Sequence, residues 1–152
     1  MNERAMSRKG FTLIEIMAVV LIMGLLAGIV GTVVVGQIDQ ARSQTARAQI
    51  KQLESALTFY QMDNGRFPTS DQGLRALVEK PSGAPEPRNY RPGGYLQGGA
   101  VPADPWSNPY QYVSPGQHNP HAFDLWTYGS DGQAGGEGAD LDVGNWVADG
   151  GE

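Results

Sequence analysis

The chain has 152 residues and no cysteine. No disulfide can staple it, and no thiolate nucleophile is available; any part outside the cytoplasm is held by other means. Positive charge is scarce: Lys and Arg number 11 against 16 Asp and Glu, a formal net charge of -5. That balance argues against nucleic acid as a partner. The scarcity is local as well. From Gly129 onward the acids Asp131, Glu137, Asp140, Asp142, Asp149 and Glu152 stand without a single Lys or Arg. From Phe11 to Gly36 charge almost vanishes, and Glu15 alone carries one. Histidine is limited to His118 and His121, in the proline-broken stretch "GQHNPH", with Asp124 as the one nearby acid. A turn fits that stretch better than a zinc site. With no nucleophile motif either, the chain presents no catalytic set.

What is present begins with the apolar run. "SRKGFTLIEIMAVVLIMGLLAGIVG" opens on basic residues and a glycine. Phe11–Gly36, read as helix, spans roughly 39 Å at about 1.5 Å per residue, more than a hydrocarbon core of about 30 Å. A signal peptide's apolar region is shorter and ends at an A-x-A-like site. An N-terminal anchor fits better. The basic residues precede the run and Asp39 follows it, so the positive-inside rule keeps the N-terminus cytoplasmic and exports the rest. Glu15 then costs up to about 2.5–3.5 kcal/mol in lipid. Two readings stand: it lies near hydrated headgroups, or it meets a cation. No basic side chain lies within the run. The remaining cation is an α-amino group made by cutting after Gly10, four residues before Glu15. Gly24 and Gly28 form a small-xxx-small pair that permits close helix approach. "GTVVVG" (31–36) is a poor local helix and is expected to be the softest part.

"QIDQARSQTARAQIKQLESALTFYQMDNG" continues as an amphipathic helix over 37–64. Ile50, Leu53, Leu57 and Tyr60 recur at helical spacing, with Ile38, Ala41, Thr45 and Ala48 as a weaker stripe above them. Asn64-Gly65 reads as the stop. Glycine (21) and proline (10) concentrate after residue 64, so 65–152 is expected to be turn-rich. "RFPTSDQGLRALVEKP" predicts a turn and a short helix, capped by Ser70 or Thr69, with Leu74, Leu77 and Val78 as its apolar face and Pro81 as its end. Strands are predicted at Tyr110–Val113 and Ala122–Tyr128. Trp106, Trp126 and Trp146 are expected in the core of this small domain. The fold class is α+β: a long N-terminal helix, transmembrane then amphipathic, packed on a small antiparallel sheet.

"YGSDGQAGGEGADLDVGNW" gathers acids among glycines. Clustered carboxylates repel, and an ordered loop calls for a hard cation such as Ca²⁺, which prefers carboxylate and carbonyl oxygens. The EF-hand spacing is absent. "GGEGAD" matches the start of a glycine-rich β-helix calcium repeat, but as one copy. A solvated acidic tail and a cation-ordered loop both remain open on the residues alone.

"RKGFTLIEIM" resembles the cleavage and methylation motif of type IV pilins and type II secretion pseudopilins. "PADPWSNPYQY" and "DLWTYGSDGQAGGEGADLDVGNW" resemble the C-terminal half of the major pseudopilin family. The resemblance spans the chain from the leader to Trp146. It implies a type IV pilin-like fold and a leader at 1–10, cut by a prepilin peptidase between Gly10 and Phe11, with N-methylation of Phe11. It implies that Glu15 pairs with the N-terminal amine of an adjacent copy. It also implies a structural Ca²⁺ in a loop at about 128–146, held by Asp131, Asp140 and Asp142 with the backbone carbonyls of Tyr128 and Gln133. The metal would replace the disulfide that locks many type IV pilins. The expected function is a non-enzymatic subunit of the type II secretion pseudopilus. It would form a homo-oligomeric helical filament with minor pseudopilins and an assembly platform. The expected location is the inner membrane, single-pass, with the 65–152 domain periplasmic. Two other classes stand beside it: a type IV pilin of a surface fibre, and a membrane-anchored calcium-binding module.

Overall fold

The computed structural model describes residues 10–146, and for residues 29–35 the backbone only. The expected leader, apart from Gly10, and residues 147–152 lie outside the described residues. Helix α1 runs from Leu13 to Asn64. The chain divides into two compact units after Ile38, two residues beyond the expected boundary at Gly36.

In the first unit every described side chain is exposed, among them Phe11, Leu13, Ile14 and Leu21. The helical backbone is continuous through "GTVVVG". Among the described residues no helix is long and apolar enough to cross a membrane. The apolar run of the sequence continues through 29–35, whose side chains lie outside the description.

The second unit holds the core. Ile50, Leu53, Leu57 and Tyr60 are buried, as their spacing predicts. The stripe above them differs. Ile38, Ala41, Thr45 and Ala48 are exposed, and Ala46 is the buried residue instead. Ala46 stands four residues before Ile50 and so extends the same 3–4 repeat, whereas the other set lies round the helix. Asn64 ends α1, and Gly65 adopts φ 77° while its N–H donates to the Gln61 carbonyl at 2.7 Å. This is the left-handed glycine stop read from the sequence. Asn64 also does more: it is buried, its Nδ2 donates to the Tyr60 carbonyl (2.9 Å) and to the Tyr95 hydroxyl (3.0 Å), and its Oδ1 accepts the Asn89 N–H (3.0 Å).

The expected short helix is a 3-10 turn, Leu74–Leu77. It ends before Val78, well ahead of Pro81. Thr69 and Gln72 bond reciprocally, each accepting the other's backbone N–H at 3.2 Å. Neither Thr69 nor Ser70 caps the 3-10 turn, whose N-cap is Gly73 with no side-chain bond; the Ser70 hydroxyl donates to the Ser114 carbonyl and accepts the Ser114 N–H. Leu74, Ala76 and Leu77 join the helix core.

Three antiparallel strands follow, in the order β1 (Gln111–Val113), β2 (Asp124–Thr127) and β3 (Val143–Gly144). Tyr112 pairs with Leu125, and Trp126 sits between Gln111 and Gly144. Both predicted strands exist, trimmed at their ends; β3 was not predicted, because two residues carry no alternation. On β2 the residues Leu125 and Thr127 are fully buried. Alternation puts Trp126 on the other face with Asp124. Trp126 and Trp146 are therefore half-buried on the outer face rather than in the core, and Trp106 is half-buried at the core's edge.

Candidate functional site

Two regions carry the chemistry, one at each end of the described chain. At the first, Gly10, Phe11 and Thr12 precede α1 in non-helical backbone, and Phe11 is 78% exposed. Glu15 lies in the first turn of the helix. Its carboxylate Oε2 accepts the Thr12 N–H at 3.4 Å, and its own N–H donates to Thr12 Oγ1 at 3.3 Å. This is a capping box, in which side chains reciprocally satisfy N–H groups at a helix start; the Glu15 N–H is shared with the Thr12 carbonyl at 3.1 Å. The carboxylate also faces the positive end of the helix dipole. The capping role was not read from the sequence, although "TLIE" has the required T-x-x-E form. Both bonds are long, and Glu15 remains exposed, so the carboxylate keeps capacity for a further donor.

At the other end, the loop after β2 is closed by its own backbone. The Ser130 N–H donates to the Ala139 carbonyl at 3.0 Å, which ties the entry of the loop to its exit. Gly129 (φ 73°) and Gly136 (φ 92°) press against Asp140: a Cβ at Gly129 would come within 2.7 Å of the Ala139 oxygen, and one at Gly136 within 2.5 Å of the Asp140 oxygen. Only glycine accommodates both the left-handed backbone and the close approach.

The predicted ligands have these places. Asp131 is exposed, and its Oδ1 accepts the Gln133 N–H at 3.0 Å. Asp140 ends a 3-10 turn, Gly138–Asp140, and its N–H donates to the Glu137 carbonyl at 3.2 Å. Asp142 Oδ2 accepts the Gly135 N–H at 3.0 Å. Asp142 Oδ1 is buried and has no hydrogen-bond partner. Tyr128 directly precedes the Gly129 pivot. Among the described residues no three acidic or histidine side chains stand close enough together to hold a metal ion. The structure thus brings the predicted residues into one closed loop without bringing their carboxylates into one cage. The donor chemistry fits a hard cation all the same: carboxylates and freed carbonyls, no base in the loop, and one buried carboxylate oxygen without a donor.

His118 meets the acid noted beside it in the sequence. Its Nδ1 lies 3.1 Å from Asp124 Oδ2, and its ring stacks on Trp146, 4.1 Å between centroids and 4° from parallel. Asp124 also accepts the N–H groups of Gln117, His118 and Asn119 and the Asn119 side-chain amide. His121 is exposed and does not join this group. The His118–Asp124 pair is a sheet-edge clamp, with no third group arranged for proton transfer among its contacts.

Known proteins resemble this chain over most of its length. Residues 33–146 match the family described as type II secretion system (T2SS), protein G, and residues 5–31 match the prokaryotic N-terminal methylation motif. The type II secretion system core protein G of Pseudomonas aeruginosa is 49% identical over 139 residues, covering 91% of this chain and 95% of that protein. The core protein G of Vibrio cholerae serotype O1 is 52% identical over 137 residues, 90% of each. The crystal structure of the major pseudopilin from the type 2 secretion system of enterohaemorrhagic Escherichia coli superposes with a TM-score of 0.64 at 45% identity, covering 74% of this chain and 92% of that one.

Proposed function

Since this chain belongs to the protein G family of the type II secretion system, we propose that it works as a processed, polymerising filament subunit. It is a major pseudopilin subunit of that system, a structural component rather than an enzyme, and a membrane-associated periplasmic part. The family match over residues 33–146, which takes in all described residues of the second unit, carries the reading.

In the proposed sequence a prepilin peptidase cuts between Gly10 and Phe11, and the new amine of Phe11 is methylated. What supports this is the methylation motif at 5–31 and an exposed, non-helical backbone at the cut, which a peptidase needs. The chain is anchored by 11–36 in the inner membrane, N-terminus cytoplasmic and folded domain periplasmic. Glu15 of one copy then accepts the Phe11 amine of a neighbour. Its weak internal bonds leave it free to do so, and an otherwise unfavourable carboxylate becomes a register device for docking. Growth of the helical filament, with minor pseudopilins and on an inner-membrane platform, helps push folded proteins through an outer-membrane channel.

The same reading assigns a structural Ca²⁺ to the loop 128–146, with Asp131, Asp140 and Asp142 and the carbonyls of Tyr128 and Gln133 as its ligands. The unpartnered Asp142 Oδ1 supports it. The ion would neutralise the clustered acids and stiffen the loop in a chain without disulfides.

The experiment that tests the reading is the mass and terminal sequence of the protein extracted from membranes. A chain beginning at N-methylated Phe11 is expected. A chain still beginning at Met1, in a host with an active prepilin peptidase, removes the proposed partner of Glu15 and overturns the assembly step.

A further inference from the structure

Asp104 lies in "PADPWSNPY", outside both regions above, and is 5% exposed. A buried carboxylate is costly unless donors surround it. Its Oδ1 accepts the N–H groups of Trp106 (3.0 Å) and Asn108 (2.7 Å). The Asp104 N–H donates to the Asn108 carbonyl, and the Ser107 N–H to the Asp104 carbonyl, both at 2.9 Å. Ser107 takes φ 74°, a left-handed backbone unusual for a residue other than glycine. The result is a closed turn that aims Asn108 at one target.

That target is Gly129. Asn108 Nδ2 donates to the Gly129 carbonyl at 3.1 Å. The Gly129 N–H donates to Thr127 Oγ1 at 3.3 Å, and the Thr127 hydroxyl in turn donates to Asp104 Oδ2. Both backbone polar groups of Gly129 are therefore held by side chains, and both side chains answer to one buried carboxylate. Thr127 is fully buried, so this strut is shielded from water.

We propose that Asn108, oriented by Asp104, is a positioning residue for the cation loop. It fixes the Tyr128–Gly129 backbone so that the Tyr128 carbonyl and the segment leading to Asp131 are set before any ion arrives. The proposal rests on the calcium reading above. Its physical reason is preorganisation: a glycine at positive φ loses much entropy when it is ordered, and ordering already done in the ion-free protein is not charged to binding. Groups just outside a metal's own ligands have this leverage, and losing one typically lowers metal affinity about 10–100-fold.

The test compares wild-type full-length chain, in detergent, with Asn108→Ala, by calorimetric Ca²⁺ titration and by melting with and without the ion. Asn108→Ala keeps the backbone N–H that Asp104 accepts and loses the bond to Gly129. We expect its calcium affinity to drop about tenfold and its calcium-induced rise in melting temperature to shrink, with the ion-free melt little changed. Ser114→Ala, which loses the bond from its hydroxyl to the Ala122 carbonyl (3.3 Å) at the sheet edge away from the loop, should lower both melts together and leave the affinity unchanged. A merely structural Asn108 would behave like Ser114→Ala, and that result overturns the proposal. If Asn108→Ala does not fold, Asn108→Ser, too short to reach Gly129, decides by the same comparison. A wild-type chain that neither binds nor is stabilised by Ca²⁺ overturns the calcium reading, and this proposal with it. Wild-type binding with unaltered variant affinity overturns this proposal alone.

Discussion

Asp124 shows how a single charge is kept in a nearly dry place. Burial pushes its carboxyl pKa up, but the bonds from His118, Gln117 and Asn119 hold it below the ordinary value of 3.8. Because the folded value is the lower one, the stabilisation is complete above the unfolded pKa. It is lost as the pH falls from about 4 through the folded value. The titratable group facing it is His118, with the neutral Gln117 and Asn119 beside it. Asp124→Asn should cost about 2 kcal/mol at neutral pH, the scale of hydrogen bonds to a charged group. The difference from wild type in denaturant unfolding should close below about pH 4. A gap that stays constant with pH would sink this account. Burial likewise raises the Tyr110 and Tyr112 hydroxyls well above the usual phenol range, so both stay neutral donors in the core. Tyr110 uses its hydrogen to reach Gln49 Oε1 on α1 at 2.6 Å.

Within the elements, α1 is the clearest case of a pattern with two outcomes. From Ala46 to Asn64 its buried residues follow a three-to-four repeat, with Ala56 beside Leu57 widening the stripe. Round the helix, Ala48, Gln52, Ser55, Phe59 and Met62 are exposed and carry no charge. Thr45 and Ser55 turn their hydroxyls back to the carbonyls of Ala41 and Lys51. Arg91 covers part of this face, its guanidinium 5.7 Å from the Phe59 ring centroid and 3.1 Å from Asp63. The two faces predict different responses to the same truncation. Leu53→Ala, at 0% exposure, should destabilise the folded unit by about 3 kcal/mol, the range for large-to-small core changes. Met62→Ala, at 73% exposure, should stay within about 0.5 kcal/mol. Chemical denaturation of the two variants checks both, and equal losses would show that the burial pattern is wrong.

At the scale of the whole molecule, the unresolved demand is the apolar surface. Leu13 is 80% exposed, Ile14 76% and Leu21 76%. Contiguous apolar surface of this kind marks a membrane or a protein partner. Glu15 sits at its start with one long hydrogen bond to the Thr12 N–H. Glu15→Ala should lose the capping box, worth about 1 kcal/mol of local helix stability. It should still be inserted and cut, yet give far less sedimentable filament than wild type. Wild-type filament yield from that variant would remove Glu15 from assembly.

Local signals were legible in the amino-acid sequence by itself. The long helix, its Asn64-Gly65 stop, the turn-rich second half, two of the strands and the acidic glycine loop each depend on residues within a few positions of one another. Propensity, periodicity and left-handed glycine act over that range. The family was legible too, because its motifs are contiguous. What the tertiary structure decided is long-range. It chose Ala46 over Ala48 for the core, because helical spacing alone does not say where the other wall stands. It paired Val143–Gly144 with Trp126–Thr127, and so turned Trp126 and Trp146 outward. It also joined Asp104 to Thr127 and Asn108 to Gly129, partners 23 and 21 residues apart. No local pattern marks such pairs. They form when folding buries a polar group in one segment and a second segment supplies the donor that burial demands.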